Sequence, residues 1–315
     1  MKAGCQKWLI GCIAVPCILL VLFAITVLVV RMQGAPEHRM EKANLEQPIA
    51  ALTSGQLAAE GLTGGAAGPA TGTLGVRIRL TEGHFIIKPG PPGGSIRVEG
   101  DYDAGAYDLV QKADTSNPDA PTYELSFEPK YSWLRRILTE GGVHVDDDQN
   151  PLTIWLPAGT PMDLDLHVAV GKSEVDLGGL SLRRASLDMR MGEHTLRVSQ
   201  LNPLEMEQVT LRGRMGEMRL HDLGNLRAGV IDIWGRMGEM RIDIGPIAKD
   251  TKINSRFMMG AVRISVPQGV RVKSSSSVFL GESQGLQEDP NGPDSGPLLE
   301  IQSDATMGEI RVTRY

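Results

Sequence analysis

The chain has 315 residues, of which 41% are hydrophobic, 22% charged and only 4% aromatic, and its formal net charge is −6. These values allow up to two globular domains, and a core so poor in aromatic side chains must be built from Ile, Val, Leu and the 14 Met. The charge forms no basic stripe, which argues against nucleic acid as a partner. All three cysteines lie within the first 17 residues, so no disulfide framework or thiolate metal site is possible farther along the chain.

The first predicted element is an uncharged segment of 23 residues from Trp8 to Val30. At about 1.5 Å per residue, a helix of this length crosses a hydrocarbon layer of about 30 Å. A cleaved signal peptide would have a shorter apolar region and a small-x-small motif after it. We therefore predict a single transmembrane helix within a short N-terminal region of residues 1–34. Positive charges flank it on both sides and leave its orientation open, and we expect the large C-terminal part to lie outside the cytoplasm.

Residues 35–74 form a linker that is rich in Ala, Gly and Thr, as in GLTGGAAGPATGT at 61–73. Too few bulky apolar residues are present to offset the entropy that ordering the segment would cost. We predict a flexible tether that contains a short helix around residues 40–52.

Strand patterns begin at VRIRL (76–80), where Val76, Ile78 and Leu80 alternate with two arginines. The segments GHFIIKPG, GSIRVEG, TYELSFE and LTIWLP continue this style between Gly and Pro turns. Residues 75–158 are therefore predicted as the N-terminal β part of the folded domain, interrupted only by a short helix at 131–138.

The remaining residues, 159–315, contain a repeat. The phrase GRMGEMRLHD at 213–222 returns as GRMGEMRIDI at 235–244, and aligning the chain on its second glycine gives seven marks at intervals of 21 to 27 residues. The marks are Gly171, Gly192, Gly216, Gly238, Gly260, Gly281 and Gly308. Such periods are typical of supersecondary units that stack on copies of themselves.

The residues around each mark follow one pattern. An apolar residue precedes the glycine, and others follow at the second and fourth positions after it, as in Met215, Met218 and Leu220. Glu and Arg prevail at the first and third positions. We predict that the apolar positions point inward and the charged positions outward. In an uninterrupted strand, every second residue points to the same side, so the position before the glycine and the second and fourth positions after it cannot all point inward. The chain must therefore form a bulge or corner at the glycine.

Each repeat is therefore predicted as one rung of a β-solenoid, made of two or three short strands and their corners, with rungs about 4.8 Å apart. The longest interval contains a loop insert at 284–297, which is rich in Gly, Pro and Asp. The predicted fold class is all-β, a stacked β-solenoid that follows an N-terminal transmembrane helix and a flexible tether.

The segments VAVGKSEVDLGGLSL, RMGEHTLRV, GRMGEMRLHDL, GRMGEMRIDI and MMGAVRISVP resemble the toastrack β-solenoid domains, often labelled "putative adhesin". They are also similar to the C-terminal domain of the bacterial LiaF-like proteins, which respond to cell-wall-active antibiotics. The resemblance covers about residues 75–315. It implies a non-enzymatic protein of the bacterial envelope that takes part in stress signalling or surface attachment.

Candidate sites for chemistry are few. The six histidines are scattered without ligand spacing, and His167 and His194 fall at alternating strand positions typical of structural histidines. The acidic segments 101–108 and 146–148 carry carboxylates that Ca²⁺ favours, but neither matches a full calcium loop, and a solvated acidic turn is the favoured interpretation. We predict no catalytic residues, no cofactor site and no metal site.

Together these patterns predict a single-pass protein of the bacterial cytoplasmic membrane, anchored through residues 8–30, that acts by contact with another protein or with envelope material. One hypothesis is a protein-interaction or stress-sensing module. The alternative hypothesis is a structural or adhesive module of the cell surface. The sequence does not identify the partner, and an enzyme would need paired carboxylates where the outward Glu instead have Arg neighbours.

Overall fold

The computed structural model describes residues 38–49, 52, 72–117, 119–131, 149–286 and 296–315. The predicted transmembrane segment 8–30, most of the predicted helix at 131–138, the acidic run 146–148 and most of the insert 284–297 lie outside these residues. Within the described ranges, no helix combines the length and the apolar character that crossing a bilayer requires.

The described residues form thirteen strands and one short 3-10 helix, which confirms the all-β prediction for this part of the chain. The N-terminal strands are β1 (Met40–Pro48), β2 (Leu74–Pro92), β3 (Ser95–Asp103), β4 (Tyr107–Asp114), β5 (Thr122–Pro129) and β6 (Leu152–Ala158). The repeat region contains β7 (Pro161–Asp176), β8 (Ser181–Arg197), β9 (Met206–His221), β10 (Ala228–Asp243), β11 (Thr251–Val266), β12 (Arg271–Gln284) and β13 (Leu298–Arg314). The 3-10 helix, Leu223–Leu226, lies between β9 and β10.

Strand β1 contradicts the short helix predicted around residues 40–52 over its first nine residues, whereas Ile49 and Leu52 are helical. All nine of its residues pair antiparallel with β3, from Met40 opposite Asp103 to Pro48 opposite Ser95. The helix prediction was wrong because a sheet edge far along the chain supplies hydrogen-bond partners that local helix propensity cannot anticipate.

All thirteen strands belong to one mixed sheet, whose central path runs β1-β3-β6-β2-β7-β8-β9-β10-β11-β13-β12. Pairing is parallel from β6 through β2 to β12, and antiparallel at the N-terminal end, where β1 pairs with β3, β3 with β6, and β4 with β5. Two different strands pair along the same edge of the long strand β2. Residues 75–80 pair with β5, and residues 85–92 pair with β6.

The repeat marks are stacked in register, which confirms the solenoid prediction. Gly171 pairs with Gly192, and the pairing continues through Gly216, Gly238 and Gly260. One detail differs: each rung is a single strand of 14–17 residues that bends at the glycine, instead of two or three short strands. We call the part before the glycine the first arm and the part after it the second arm.

The last two rungs stack in reverse order of sequence. Strand β13 pairs with both β11 and β12, so Gly260 lies against Gly308 and Gly281 forms the end of the row. The long connection that contains the insert 284–297 gives the chain enough length to pass the terminal rung and return between two others. At this end, β12 carries Ser274 opposite the buried Ile301 of β13, as expected of a capping rung.

Two physical conditions require glycine at the corner. The seven marked glycines have φ between +117° and +141°, a region that side chains disfavour. In addition, a Cβ atom at each mark would lie 1.8–2.1 Å from the carbonyl oxygen of the glycine on the adjacent rung. Gly83 in β2 forms an eighth corner and pairs with Gly171. The repeat pattern did not predict it, because Glu82 stands where the other marks have an apolar residue.

The core consists of columns on the inner side of both arms. In β9 the buried residues include Val209 and Leu211 before the corner and Met218 and Leu220 after it. The parity therefore shifts at Gly216, as predicted. Each fully buried side chain of this size contributes about 1.5–3 kcal/mol, so the stacked columns supply most of the stabilisation.

The apolar residue directly before each glycine was predicted to point inward, and this prediction was wrong. Met215 is 47% exposed and Met237 is 49% exposed. The strand turns at the glycine, and the inside of the turn is filled from the positions three residues before it and two residues after it. For example, the side chain of Met218 packs over Gly213, where a Cβ would lie 3.2 Å from Cε of Met218, while Met215 points outward.

Candidate functional site

The outer edge of the corner carries a continuous row of exposed apolar side chains. Its members stand one per rung at the position before the marked glycine, each 41–53% exposed, and we call them the methionine ridge: Met191, Met215, Met237, Met259, Met307 and Leu280. With rungs about 4.8 Å apart, the ridge is about 24 Å long. Half-buried Val170 continues it on β7.

Additional apolar side chains widen the ridge near β10, β11 and β12. Phe279 is 81% exposed, and Met258 is also exposed beside the ridge. Trp234 lies 4.8 Å from the guanidinium of Arg256, which stacks over its ring. Flexible methionines next to a rigid aromatic ring are a common composition of protein-binding surfaces.

The second arms flank the ridge with ion pairs that face outward, as predicted. Arg241 bridges two rungs: it lies 3.0 Å from Glu239 on its own strand and 3.3 Å from Glu217 on β9. Arg263 in turn pairs with Glu239, and Arg219 with Glu217. Exposed pairs of this kind contribute about 0–1 kcal/mol each, and because they neutralise one another they leave little field to attract a charged ligand.

A small cavity of about 20 Å³ lies beneath the ridge, where β9 and β10 turn. Gly213 and Gly235 stand three residues before the corner, where the neighbouring rungs carry Met189 and Phe257. The space beside the two glycines is largely filled, because a Cβ on Gly235 would lie 2.1 Å from the ring of Phe257 and one on Gly213 would lie 3.2 Å from Cε of Met218. Both copies of the repeated GRMGEM phrase line it, together with His194 of β8. The two identical GRMGEM segments therefore line opposite sides of one cavity.

His194 is almost fully buried at the second position after its corner, where the next two rungs carry Met218 and Met240. Its Nδ1 forms a 2.8 Å hydrogen bond with the hydroxyl of Ser173. Burial lowers the pKa of His194 from 6.5 to about 4, an effect that the nearby carbonyl of Met191 partly opposes. The imidazole is therefore neutral at pH 7.

This lowered pKa predicts acid sensitivity. Above about pH 6.5 neither the folded nor the unfolded chain protonates this ring, but between pH 6.5 and 4 only the unfolded chain binds the proton. We expect the free energy of unfolding to fall by roughly 3 kcal/mol across this interval through His194. Urea denaturation at several pH values, with wild type compared with His194→Leu, measures the effect. Parallel pH dependence of both proteins would contradict it.

The other candidate residues of the sequence analysis do not converge. His167 is half-buried with its Nδ1 3.3 Å from Asp188, and burial, helped by Arg190, lowers its pKa. Asp103, in the acidic segment 101–108, binds His38 at 2.6 Å and accepts hydrogen bonds from the backbone of Arg39 and Gly105. Within the described ranges, no three His, Cys, Asp or Glu side chains are grouped as a metal site.

A groove of about 430 Å³ lies near the N-terminal end and is lined by residues of the first arms. Its walls carry ion pairs, such as Arg77 3.7 Å from Asp165, and Arg184 against Asp163. It contains no nucleophile beside a general base, so its composition does not indicate a reaction.

Comparison with known proteins adds little to this geometry. No protein-family model and no curated protein match the chain. A crystal structure from Clostridium sporogenes described as a "putative cell adhesion protein" has 14% identity and a TM-score of 0.40, covering 89% of this chain and all of that one. A "putative adhesin" from Bacteroides fragilis has 11% identity and a TM-score of 0.34, covering 88% and 99%.

At these TM-scores neither similarity defines the fold or the function of this chain. The parallel register and the recurring glycine corner give the described strands a β-solenoid-like architecture. The candidate binding surface is the methionine ridge. The repeat spacing identified these methionines, but they were predicted to lie in the core. Residue type does not separate the two groups, because Met218 and Met240 of the same phrases are buried.

Proposed function

We propose that this protein is a non-enzymatic interaction module of the bacterial envelope, held at the membrane by residues 8–30, and that it binds a partner protein through the methionine ridge. One observation carries the proposal: six apolar side chains, all more than 40% exposed, stand in register on consecutive rungs. Monomeric soluble proteins rarely expose a continuous apolar surface of this kind without a binding role.

The shape and charge of the ridge specify the partner. The ridge is convex and its flanking Glu and Arg residues are already paired, as Arg311 is with Glu309 at 2.6 Å. A complementary surface is therefore an apolar groove on another protein, with a polar rim that meets the ion pairs. The flexible thioether side chains allow close packing against such a groove without a change in the rigid backbone.

A regulatory or stress-sensing partner in the membrane is the first reading of this proposal, supported by the predicted anchor and by the resemblance to the LiaF-like proteins. A structural or adhesive surface module is the second. The end of the solenoid favours the second reading, because β12 has a sheet partner on only one side among the described strands and presents Phe279 to solvent.

Photo-crosslinking tests the ridge directly. A photoreactive residue placed at Met259 or Met307 of the full chain is expected to crosslink one discrete protein in intact cells. Val110 is the matched control, since it is equally exposed and apolar but lies on β4, away from the ridge. The double variant Met259→Lys and Met307→Lys is expected to reduce recovery of that protein more than tenfold, because it places two charges in an apolar contact.

The identity of the crosslinked protein separates the two readings. A membrane or signalling protein supports the regulatory reading, and a second copy of this chain or a surface component supports the structural one. Equal crosslinking from the ridge and from Val110, or full recovery with the double lysine variant, would show that the ridge is not the binding surface.

A further inference from the structure

Strand β12 is the outermost strand at the end of the sheet opposite β1. It pairs with β13 along one edge, and no strand within the described ranges pairs with its other edge. The backbone N–H and C=O groups along such an edge form a template on which another strand can be added. Leu286 packs against the hydrophobic core at this end, and its carbonyl accepts a 3.2 Å hydrogen bond from the Ser274 hydroxyl. The backbone edge of β12 is therefore what the described residues leave open at this end.

The two edge strands of the sheet differ in composition. Strand β1 contains three charged side chains within nine residues and ends at Pro48. Charges and proline are features that protect an edge strand from pairing with other chains. In β12, by contrast, the eight residues from Ser274 to Gly281 include neither a charge nor a proline. The edge of β12 therefore lacks the protection that β1 has.

The side chains in the first arm of β12 alternate between two faces. Four half-buried side chains lie on the inner face, opposite buried residues of β13: Val272, Ser274, Ser276 and Val278. Four exposed side chains lie on the outer face: Lys273, Ser275, Ser277 and Phe279. Residues directly opposite each other in an antiparallel pair share a face, so two copies of β12 keep these faces aligned only if their twofold axis passes through a residue.

One such register matches the inner face of the strand with itself. With the axis at Ser275, Val272 of one copy lies opposite Val278 of the other, and Ser274 lies opposite Ser276. The valines already pack against the core of their own copy, so this register continues apolar contacts across the contact between the copies. An axis two residues to either side would place valine opposite serine. The inner face therefore selects Ser275 as the axis.

The same register covers the most exposed large apolar side chain of the described residues. Phe279 is 81% exposed, and the register places Arg271 of the other copy opposite it. A guanidinium over an aromatic ring is a favourable contact, and one already occurs in this fold where Arg256 lies 4.8 Å from the ring of Trp234. Lys273 would lie opposite an uncharged serine, so like charges do not meet.

We propose that two copies of this chain associate through β12, whose first arms pair antiparallel about a twofold axis at Ser275 and join the two sheets into one. A contact of this symmetry uses the same edge on both copies, so it produces a closed dimer instead of a fibre. It does not involve Met259 or Met307, at which partner binding to the ridge is tested. The self-association and the proposed ridge function can therefore succeed or fail separately.

Disulfide crosslinking of the full chain in detergent tests the register, with Cys5, Cys12 and Cys17 changed to Ser and copper phenanthroline as the oxidant. Ser275→Cys is expected to give a crosslinked dimer, because the two Cβ atoms at the axis lie about 4.5–5.5 Å apart. Lys273→Cys and Ser277→Cys are each expected to give none alone, but a mixture of these two variants should crosslink. Asn44→Cys is the matched control, since Asn44 is exposed on the other edge strand.

The mass of the full chain, measured by light scattering after subtraction of the detergent, tests the association without a crosslink. Ser275→Lys is expected to weaken the dimer about fivefold, because like charges directly opposite each other destabilise a strand pair. Asn44→Lys should leave the dimer unchanged, and far-ultraviolet circular dichroism verifies that both variants fold. A monomer at every concentration would overturn the proposal. A dimer that Ser275→Lys does not weaken, or one in which Asn44→Cys crosslinks as well as Ser275→Cys, would overturn it equally.

Discussion

Gly238→Ala is expected to lower the free energy of unfolding by more than about 3 kcal/mol. The residue has φ +130°, and strain of that kind costs about 1–3 kcal/mol. The new Cβ would also lie 1.9 Å from the carbonyl oxygen of Gly216 on the adjacent rung. Both atoms are fixed by the backbone, so relief requires two paired strands to move apart. Equilibrium urea unfolding followed by far-ultraviolet circular dichroism measures the loss.

Gly269→Ala separates the two causes. Gly269 also has a positive φ, +80°, but a Cβ there would meet no atom within 4 Å. This control is expected to lose only the cost of the backbone conformation, about 1 kcal/mol. Equal losses for the two variants would mean that the contact between neighbouring glycines is unimportant, and that positive φ alone explains the repeat.

Phe127→Ala is expected to cost about 3–5 kcal/mol, the range of large aromatic deletions in a core. Phe127 is fully buried at the N-terminal end of the solenoid. Its ring stacks on Tyr107 at 4.8 Å and meets Tyr102 and Phe85 edge-on at 5.8 and 6.1 Å. The same substitution at Phe279, which is 81% exposed, is expected to change stability by less than about 0.5 kcal/mol.

The location of the damage is also predicted. In a stack of rungs, stability depends mainly on each rung and its nearest neighbours. Hydrogen exchange should therefore accelerate first in β4, β5 and the first arm of β2, while β9 to β11 keep their protection. Uniform acceleration across all rungs would instead show that the solenoid unfolds as one cooperative unit.

The sequence predicted the candidate site only in part. Spacing identified every member of the methionine ridge, because the glycine marks align the residues before them. It did not identify which way those residues face, since that depends on how the chain turns at Gly216 and its equivalents. His194 was predicted as a structural histidine. Its burial in register with Met218 and Met240 of the next two rungs depends on how the chain turns at the corner, which spacing does not show.

Other departures from prediction have the same origin. Residues 40–48 have no strong strand pattern, and they form β1 because β3 offers them an edge. The order of the last rungs was equally hidden: Gly281 precedes Gly308 in sequence, yet Gly308 takes the inner place. Strand pairing depends on contacts between segments that are far apart in the sequence, so local residue patterns do not predict which strands pair.

By itself, the sequence determined the stacking of equivalent rungs, their glycine corners and their parity shift, because steric limits on φ and the two-residue period of a strand act within a few neighbouring residues. Only the tertiary structure decided that one long bent strand forms each rung, that the methionines before the corner face water, and that His194 is buried beside the corners of β9 and β10. Those features arise where adjacent rungs compete for the same space inside a turn, and the outcome depends on side-chain volumes from several rungs together.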